Sequence, residues 1–302
     1  MESNMKMISI QRNINICQSL KYFVIARVQE ILDVVNNNDD DDALDSNTVA
    51  NFHELRKQVR ALRALLIFIK PLDSEHLLNE DRKKLRDWFM AGNIRRDLDS
   101  LNGYWKILQE RQSSSFSDVS LLSKYLHDRS LLTMVVAPSN QLVMPLLNIK
   151  AIMEQGNKWC AKKKSLTNFV KNRLRSWDRT IKNKEYLFEV MDKKELHILR
   201  IRCKNLRYTA EAFLTLWPRK DNILMIKTLE NLQDILGQIH DIDNTPVVIS
   251  EALSNQNPHI AFEVGFLRGW QAASRIDHIR LLKKKWKRYR KAKRPWESSN
   301  SK

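Results

Sequence analysis

The sequence has little of the residues that interrupt helices. Its 302 residues include only six Gly and seven Pro, and runs that alternate between apolar and polar residues are almost absent. Leu, Lys, Arg and Glu are abundant instead, and these residues favour helices. A hydrophobic content of 43% is enough to bury a substantial core. The composition therefore predicts an all-α globular protein without a sheet.

Cysteine and long apolar runs are scarce as well. Cys17, Cys160 and Cys203 are far apart and odd in number, which argues against a disulfide framework and fits a reducing compartment. The N-terminus lacks the continuous apolar segment of a secretory signal, and the most apolar region, residues 131–147, is interrupted by prolines and polar residues. We therefore expect no membrane insertion and a cytoplasmic location.

Common catalytic motifs are missing too. The sequence contains no Gly-rich phosphate loop, no nucleophile elbow, no His-Glu-x-x-His and no plausible Cys and His metal set. The acidic run Asp39–Asp42 lacks the glycine and the closing glutamate of a calcium-binding loop, so we interpret it as a linker. We expect a protein that is not an enzyme, without catalytic residues, cofactor or metal.

Positive charge is abundant and unevenly distributed. The formal net charge is +17 and the sequence pI is about 9.8. Residues 1–150 contain 20 Lys and Arg against 19 Asp and Glu, whereas residues 151–302 contain 32 against 16. Such a surplus predicts a polyanionic partner, which could be nucleic acid, an anionic membrane surface or polymeric phosphate.

Two segments of the chain share one pattern of basic residues, at relative positions 0, 3, 7 and 10. The two sets, separated by a constant 144 positions, are His53, Arg56, Arg60 and Arg63, and His197, Arg200, Lys204 and Arg207. At about 3.6 residues per turn, this spacing puts each set on one face of a helix. Apolar residues between them form a second stripe that can be buried. Lys57 lies close to the first basic face but has no basic counterpart in the second segment.

A second group of residues keeps the same offset. The pairs are Asn93 and Gly237, Arg96 and His240, Asp97 and Asp241, and Asp99 and Asp243. An unchanged offset predicts an internal duplication, with two four-helix bundles related by a pseudo-twofold axis. We expect Arg96 and His240 to extend the basic surface. The four aspartates follow a turn residue, so we expect them to cap helix starts and to hold the arginines of the two segments; a catalytic or metal role is the less favoured alternative.

Hydrophobic periodicity and helix-stop signals predict the helices in more detail. In the first half they cover residues 19–35 and 46–70, a segment opened by Ser74 and Glu75, residues 94–112, and one or two helices up to Val136. The Pro-broken stretch 137–148 is interpreted as the crossover. In the second half they cover residues 166–181, 193–217 and 223–236, a helix after Gly237, and residues 260–291. The predicted division is an N-terminal tail (1–14), a first bundle (15–148), a second bundle (149–290) and a basic, polar C-terminal tail (291–302).

Two predictions concern the ligand. If the two basic faces point at each other, around eight cationic groups surround one cavity, and phosphate would relieve their repulsion. The stretch from Lys283 to Trp296 contains nine basic residues with aromatic residues between them. It is compatible with RNA or DNA binding, in which Trp and Tyr would stack on bases, and equally with a helix that packs on the bundle.

The two repeated segments resemble the signature of the CHAD family, the conserved histidine α-helical domain. The segment Leu232–Asp241, sequence LQDILGQIHD, and the segment Gly269–Ala273 are also similar to this family, and the similarity covers roughly residues 15–290. The sequence departs from the family pattern at Ala61 and Asn205, where a basic residue is frequent, and at Asn93.

The resemblance implies two four-helix bundles that meet at a basic cavity binding inorganic polyphosphate, with association with polyphosphate granules in some members. Family members are often fused to a triphosphate-tunnel domain, but the Glu-x-Glu-x-Lys signature of that domain is absent. The expectation is a stand-alone, non-catalytic polyphosphate-binding module. The alternatives are nucleic-acid binding through the C-terminal stretch and, less favoured, a metal-dependent phosphohydrolase using the aspartates.

Overall fold

The computed structural model of the chain describes residues 16–36, 46–111, 120–133, 138–155, 165–217, 219–253 and 257–297. These residues form helices and connecting turns without a strand, so the predicted all-α class is confirmed. The helices are α1 (Ile16–Asn36), α2 (Ser46–Ile69), α3 (Asn79–Ala91), α4 (Asn93–Arg111), α5 (Leu121–Leu132), α6 (Val143–Glu154), α7 (Leu166–Lys182), α8 (Lys193–Ala212), α9 (Arg219–Val248), α10 (Ser250–Leu253) and α11 (Pro258–Lys291). The predicted tail 1–14, the run Asp39–Asp42 and the loop Ser113–Ser115 lie outside the described residues.

The helices pack in three groups. In the first, α1 contacts α2 and α6, and α3 contacts the same two helices. In the second, α8 lies between α7 and α9, and α9 packs along α11. In the third, α4 and α5 pack on the later part of α9 and the first half of α11, around a smaller core that contains Leu98, Trp105 and Leu267. The first two groups share one continuous hydrophobic core, which links the two halves of the chain.

Aromatic side chains join these two groups. The ring of Phe68 in α2 lies 5.2 Å from that of Trp177, 5.7 Å from that of Phe169 and 5.6 Å from that of Phe213. Phe23 in α1 contacts Phe213 at 5.0 Å. Such ring contacts stabilise a protein beyond the area that they bury. They therefore fix α2 relative to α7 and α8, the geometry on which the candidate site depends.

Three predicted segments differ from the structure. The third helix begins at Asn79 rather than near Ser74, because the Asp73 carboxylate accepts the backbone N–H groups of Leu77 (2.9 Å) and Leu78 (3.1 Å), and His76 has a positive φ of 59°. The predicted turn at Gly237 is wrong, since α9 continues through it from Arg219 to Val248. An isolated glycine weakens a helix by only about 1 kcal/mol and does not end it.

The predicted crossover at residues 137–148 is the third difference. Residues 143–154 form helix α6, which packs on α1 and α3. Pro145 lies in the first turn of this helix, where its missing N–H group would have no intrahelical partner in any case. The predicted division between residues 148 and 149 therefore runs through the middle of a helix.

The described part of the predicted C-terminal tail belongs to the core. Trp296 is fully buried, and the Arg294 guanidinium lies inside the protein, where its Nε donates to Asp178 at 3.1 Å. The Tyr289 hydroxyl donates to the same carboxylate at 2.5 Å. A buried ion pair of this kind needs such additional hydrogen bonds to offset its desolvation. The prediction of a separate tail from residue 291 is therefore wrong as far as residue 297.

The described residues include two of the three cysteines. Cys17 is disulfide-bonded, which the sequence-based argument did not predict, and Cys203 is free and buried. The argument from cysteine usage for a reducing compartment therefore no longer holds. Among the helices of the described ranges, none combines the length and the apolar character needed to cross a membrane.

The start of α8 depends on one side chain. The Asp192 carboxylate accepts the backbone N–H of Glu195 at 2.7 Å and caps the helix. We expect Asp192→Ala to reduce the free energy of unfolding by about 1 kcal/mol, the usual effect of losing such a cap. Urea denaturation checks the value, and Asp192→Asn, which retains a cap, should be close to wild type. Equal losses in both variants would contradict this role.

Candidate anion-binding site

Helices α2 and α8 bring the two repeated segments together. The helices pack against each other, and their apolar stripes are buried: Leu55, Val59 and Leu62 on α2, and Leu199, Cys203 and Leu206 on α8. This burial fixes the rotation of each helix about its axis. Basic residues beside the two stripes consequently line common pockets.

The basic residues border two pockets. The first basic pocket has a volume of about 590 Å³ and is lined from α2, α4, α8 and α9 by basic residues, carboxylates and neutral side chains. Its charged and imidazole side chains are His53, Arg56, Arg60, Arg96, Asp99, Arg200, Lys204, Asp234 and Asp241. The second basic pocket has a similar volume of about 590 Å³ and is lined by Lys193, Lys194, Arg63, His197, His240, Asp97 and Asp243 in addition to the residues shared with the first.

Five basic side chains line both pockets. They are Arg56, Arg60, Arg96, Arg200 and Lys204. They come from three helices, α2, α4 and α8, so the shared wall exists only in the folded protein. Like charges brought so close repel each other, and this repulsion falls when an anion enters. The shared wall is therefore suited to binding a polyanion.

Arg56 is a buried residue of the shared wall and connects α2 to α3 and α4. It is only 2% exposed, and it donates from Nη1 to the carbonyl oxygen of Phe89 and from Nη2 to Oδ1 of Asn93, both at 2.8 Å. Gly92 leaves the necessary room, because a Cβ atom there would lie 2.6 Å from Nη1 of Arg56. Burial, followed by the neighbouring Arg60 and Arg96, lowers the pKa of Arg56 to about 9, so it stays charged at neutral pH.

Arg200 and Lys204 are less well satisfied by the protein. Arg200 is 8% exposed, and its Nε is buried without a hydrogen-bond partner. Burial lowers its pKa to about 10, with a further contribution from Arg96. Burial also lowers the pKa of Lys204 to about 5, and the positive charges of Arg200, Arg60 and Arg96 act in the same direction. In the free protein at neutral pH, Lys204 is therefore a neutral amine among arginines.

The histidines divide between the pockets. His53 lines the first, 3.6 Å from the carboxylate of Asp99, whereas the rings of His197 and His240 stack at 5.1 Å in the second. Burial and neighbouring cations lower the pKa of His53 and that of His197. Both are neutral at pH 7 and can donate one N–H to a phosphate oxygen.

The aspartates of α4 and α9 bind donors across the interface between these helices. Asn244 Nδ2 donates to Asp97 at 2.8 Å, and Ser100 Oγ donates to Asp241 at 3.3 Å. Ser100 and Asn244 are themselves 144 positions apart, so the two contacts are reciprocal. Burial raises the pKa of Asp241, but the hydrogen bond with His240 and the charges of Arg96 and Arg200 outweigh it, and the net shift is downward.

The predicted roles of these aspartates need correction. All four lie inside α4 or α9 rather than at a helix start, so they do not cap. Arg96, which belongs to α4 and not to the repeated segments, is the arginine that contacts Asp97 and Asp241. Asp99 accepts from Ser130 at 2.5 Å and Asp243 from Arg275 at 2.9 Å. Across the described ranges, no group of three or more His, Cys, Asp or Glu side chains is arranged to hold a metal ion.

Two predicted ligand residues line neither basic pocket. Lys57 is exposed and pairs with Glu54 at 3.3 Å on the outer face of α2. Arg207 is held by Gln233 at 3.0 Å and by Glu211 at 2.9 Å, with Glu230 at 3.6 Å. These ion pairs and hydrogen bonds hold both side chains away from the two pockets, so the position of the two residues does not support their predicted role as ligand residues. Arg63 lines only the second basic pocket.

Sequence reasoning missed some lining residues. Lys193 and Lys194 lie about one turn before His197, so helical spacing could have found them. Phe89 could not have been found in this way. The guanidinium groups of Arg56, Arg60 and Arg63 pack on its ring, at 4.1, 5.1 and 4.8 Å from the ring centre. These contacts across helices hold three like charges in one row.

The aromatic residues of the C-terminal basic stretch are not available to stack on bases. Trp286, Tyr289 and Trp296 are all buried, and Trp286 packs edge-on against Tyr186 at 4.9 Å. The predicted stacking role is therefore wrong, and the packing alternative is confirmed. Exposed lysines and arginines, such as Lys284, Lys287 and Arg288, remain on the outer face of α11.

Comparison with known proteins gives one family. The sequence model of the CHAD domain matches residues 26–246. The structure is similar to the crystal structure of the CHAD domain from the plant Ricinus communis, with a TM-score of 0.68 and 17% identity over 95% of each chain. It is also similar to PptA from Streptomyces chartreusis, with a TM-score of 0.63 and 15% identity over 91% of this chain and 100% of that one. No curated protein is significantly similar in sequence.

Proposed function

Since this chain belongs to the CHAD domain family, we propose that it binds inorganic polyphosphate in the two basic pockets between α2 and α8, without catalysing a reaction. The observation that carries the proposal is the wall of Arg56, Arg60, Arg96, Arg200 and Lys204 shared by both pockets. Guanidinium groups bind phosphate oxygens through paired hydrogen bonds, and a lysine adds a compact charge.

A polymer fits this arrangement better than a single phosphate. One phosphate can contact only part of the wall, whereas a linear chain can occupy both pockets and contact all five cations at once. Once one phosphate is bound, the next binds as part of the same molecule, so several weak contacts add up to high affinity. We therefore expect affinity to rise with chain length and to fall steeply with salt, as for other polyanions.

The proposal includes an internal duplication, with two bundles related by a pseudo-twofold axis around the site. Three observations support it. The basic residues repeat at an offset of 144 positions, α2 packs on α8, and the Ser100–Asp241 and Asn244–Asp97 hydrogen bonds are reciprocal across α4 and α9. A two-fold axis brings equivalent residues from both halves to the same space, which concentrates positive charge there.

The carboxylates support a binding role rather than a catalytic one. Asp97 and Asp241 are engaged by donors from neighbouring helices, and Asp243 is paired with Arg275. In these positions they orient basic side chains and neighbouring helices. A cytoplasmic location and an association with polyphosphate granules stay predictions.

A competition experiment tests the proposal against its alternatives. Labelled long-chain polyphosphate is bound at near-physiological salt and displaced with unlabelled polyphosphate or single-stranded RNA. We expect RNA to compete at least about tenfold more weakly, because the ring of Phe89 in the second basic pocket is already covered by three guanidinium groups and is not open to a base. Lys284→Gln/Lys287→Gln/Arg288→Gln, which removes charge from the outer face of α11, should bind polyphosphate nearly as well as wild type.

Two outcomes would favour the alternatives. Equal competition by RNA, together with loss of binding in the α11 variant, would identify a nucleic-acid-binding protein that uses α11. Release of phosphate from polyphosphate that requires a divalent cation, and that is lost in Asp97→Asn/Asp241→Asn, would identify a phosphohydrolase. Truncation of the C-terminal stretch is not a suitable test, because it would remove core residues such as Trp286 and Trp296.

A further inference from the structure

A third group of cationic residues lies outside the two basic pockets. It forms a smaller cavity of about 190 Å³ between α2 and α3, lined by Arg63, Ile67, Asn79, Arg82, Lys83 and Arg86, which we call the α3 pocket. Four of these six lining residues are cationic and none is acidic. The sequence repeat gives no hint of it, because Arg82, Lys83 and Arg86 belong to α3.

Arg63 connects the α3 pocket to the candidate site. It lines both the second basic pocket and the α3 pocket. Its guanidinium packs 4.8 Å from the centre of the Phe89 ring, on which the guanidinium groups of Arg56 and Arg60 also pack. Burial lowers the pKa of Arg63 to about 10, followed by the charges of Arg60 and Arg86, so this arginine is within electrostatic reach of both groups. The basic side chains of the second basic pocket and of the α3 pocket therefore form one group that is joined at Arg63.

The acidic residues around this group are unevenly distributed. The first basic pocket is bordered by the carboxylates of Asp99, Asp234 and Asp241. At the other end, the carboxylates that act on the arginines are those of Asp73 and Asp87. Asp73 already accepts two backbone N–H groups, and the ion pair of Asp87 with Arg86 at 2.9 Å is between exposed side chains. Exposed pairs are weak and exchange readily for a stronger anion. In addition, Nε of Arg82 is buried without a hydrogen-bond partner.

We propose that the α3 pocket is an additional polyanion subsite, which binds the stretch of a phosphate chain that leaves the second basic pocket over Arg63. This inference rests on the proposed function and adds to it the course that a long phosphate chain takes on the protein. A short chain fills the basic pockets alone, whereas a long chain also reaches Arg82, Lys83 and Arg86. The α3 pocket therefore makes the protein select for chain length.

The test compares two ligands on matched variants. Arg82→Gln/Lys83→Gln/Arg86→Gln removes three charges from the α3 pocket, and Lys284→Gln/Lys287→Gln/Arg288→Gln removes three from the outer face of α11. Binding of tripolyphosphate and of long-chain polyphosphate is measured by calorimetry. We expect the α3 variant to bind long chains about tenfold more weakly than the α11 variant does, because tethered contacts are lost. The two variants should bind tripolyphosphate alike.

Other results would overturn the subsite. Equal losses for both ligands in the α3 variant would mean that the three charges act only through the general field, and no loss for either would mean that they do not contact the chain. Because Arg82 is half-buried, Lys83→Gln/Arg86→Gln, with both residues exposed, is measured as a second variant and should show the same selective loss. Failure of the wild-type protein to bind either ligand would instead overturn the proposed function, and the subsite with it.

Discussion

Replacing Arg60 and Arg200 together by Ala is expected to weaken binding of long-chain polyphosphate by about 3 to 6 kcal/mol, a factor of more than one hundred. Each residue lines both basic pockets, one on α2 and the other on α8. The loss of a hydrogen bond to a charged group costs about 1.5 to 3 kcal/mol. Titration calorimetry at near-physiological salt measures the difference.

The stability of the same variant should change little, because two effects oppose each other. Arg200 is buried and its Nε has no partner, so removing it relieves desolvation and repulsion in the free protein. Removing Arg60 loses its hydrogen bond to Tyr208 at 3.4 Å and its packing on Phe89. Arg56 is a poor choice for this purpose, because its hydrogen bonds to Phe89 and Asn93 also hold α2 against α3 and α4.

The chain offers a matched control for this double variant. Lys57→Ala/Arg202→Ala removes the same charge from the same two helices but from their outer faces. It should change affinity only slightly. Comparable losses in both double variants would mean that the net charge of the protein, and not the pockets, attracts the ligand.

Binding is also expected to weaken as the pH rises, by up to tenfold per pH unit, because Lys204 must take up a proton. Its pKa in the free protein is about 5, against a usual value of 10.5, owing to burial and to the charges of Arg200, Arg60 and Arg96. A bound phosphate chain favours the charged form and raises this pKa. Between about pH 6 and about pH 8 the affinity should therefore fall by as much as a hundredfold.

Other titratable groups in the pockets do not by themselves explain a fall that continues to pH 8. Asp241 has a lowered pKa and changes protonation at lower pH. The pKa values of His53 and His197 in the free protein are below their usual 6.5, and a bound phosphate chain raises them, so the histidines contribute in the lower part of this range. Lys204→Met should bind more weakly than wild type at pH 6 but show an almost flat profile above pH 7. Parallel profiles for wild type and Lys204→Met would contradict this assignment.

Lys204 also makes the free energy of unfolding depend on pH, and the direction of this dependence follows from its pKa. The unfolded chain carries a protonated lysine up to about pH 10.5, whereas the folded protein releases this proton above about pH 5. The unfolded state therefore binds more protons in this window, and the contribution of Lys204 to the free energy of unfolding rises with pH. Denaturation of wild type and Lys204→Met at several pH values measures this difference.

Much of the fold could be predicted from the sequence. The helices that form the site, α2 and α8, have strong helical periodicity. Pro71 lies just beyond the end of α2, whereas α8 ends at Ala212, before the end at residue 217 that Pro218 predicted. Two of the failures were at single Gly and Pro residues, whose effect depends on position, and another was the start of α3 at Asn79. Gly237 is tolerated inside α9, and Pro145 is tolerated in the first turn of α6.

The site was predictable only in part. The spacing of basic residues identified the faces of α2 and α8 that border the pockets, because burial of the adjacent apolar stripe sets the rotation of each helix. It could not distinguish Arg200, which lines both pockets, from Arg207, which Glu211 and Gln233 hold elsewhere. That difference depends on tertiary contacts, as does the position of the α3 pocket.

A crystal structure with bound polyphosphate tests the central claim most directly. The claim predicts a chain of phosphates between α2 and α8, with oxygen atoms within hydrogen-bond distance of Arg60, Arg96, Arg200 and Lys204. A chain that instead follows the outer face of α11, with these four side chains unchanged and without contact to phosphate, would contradict it.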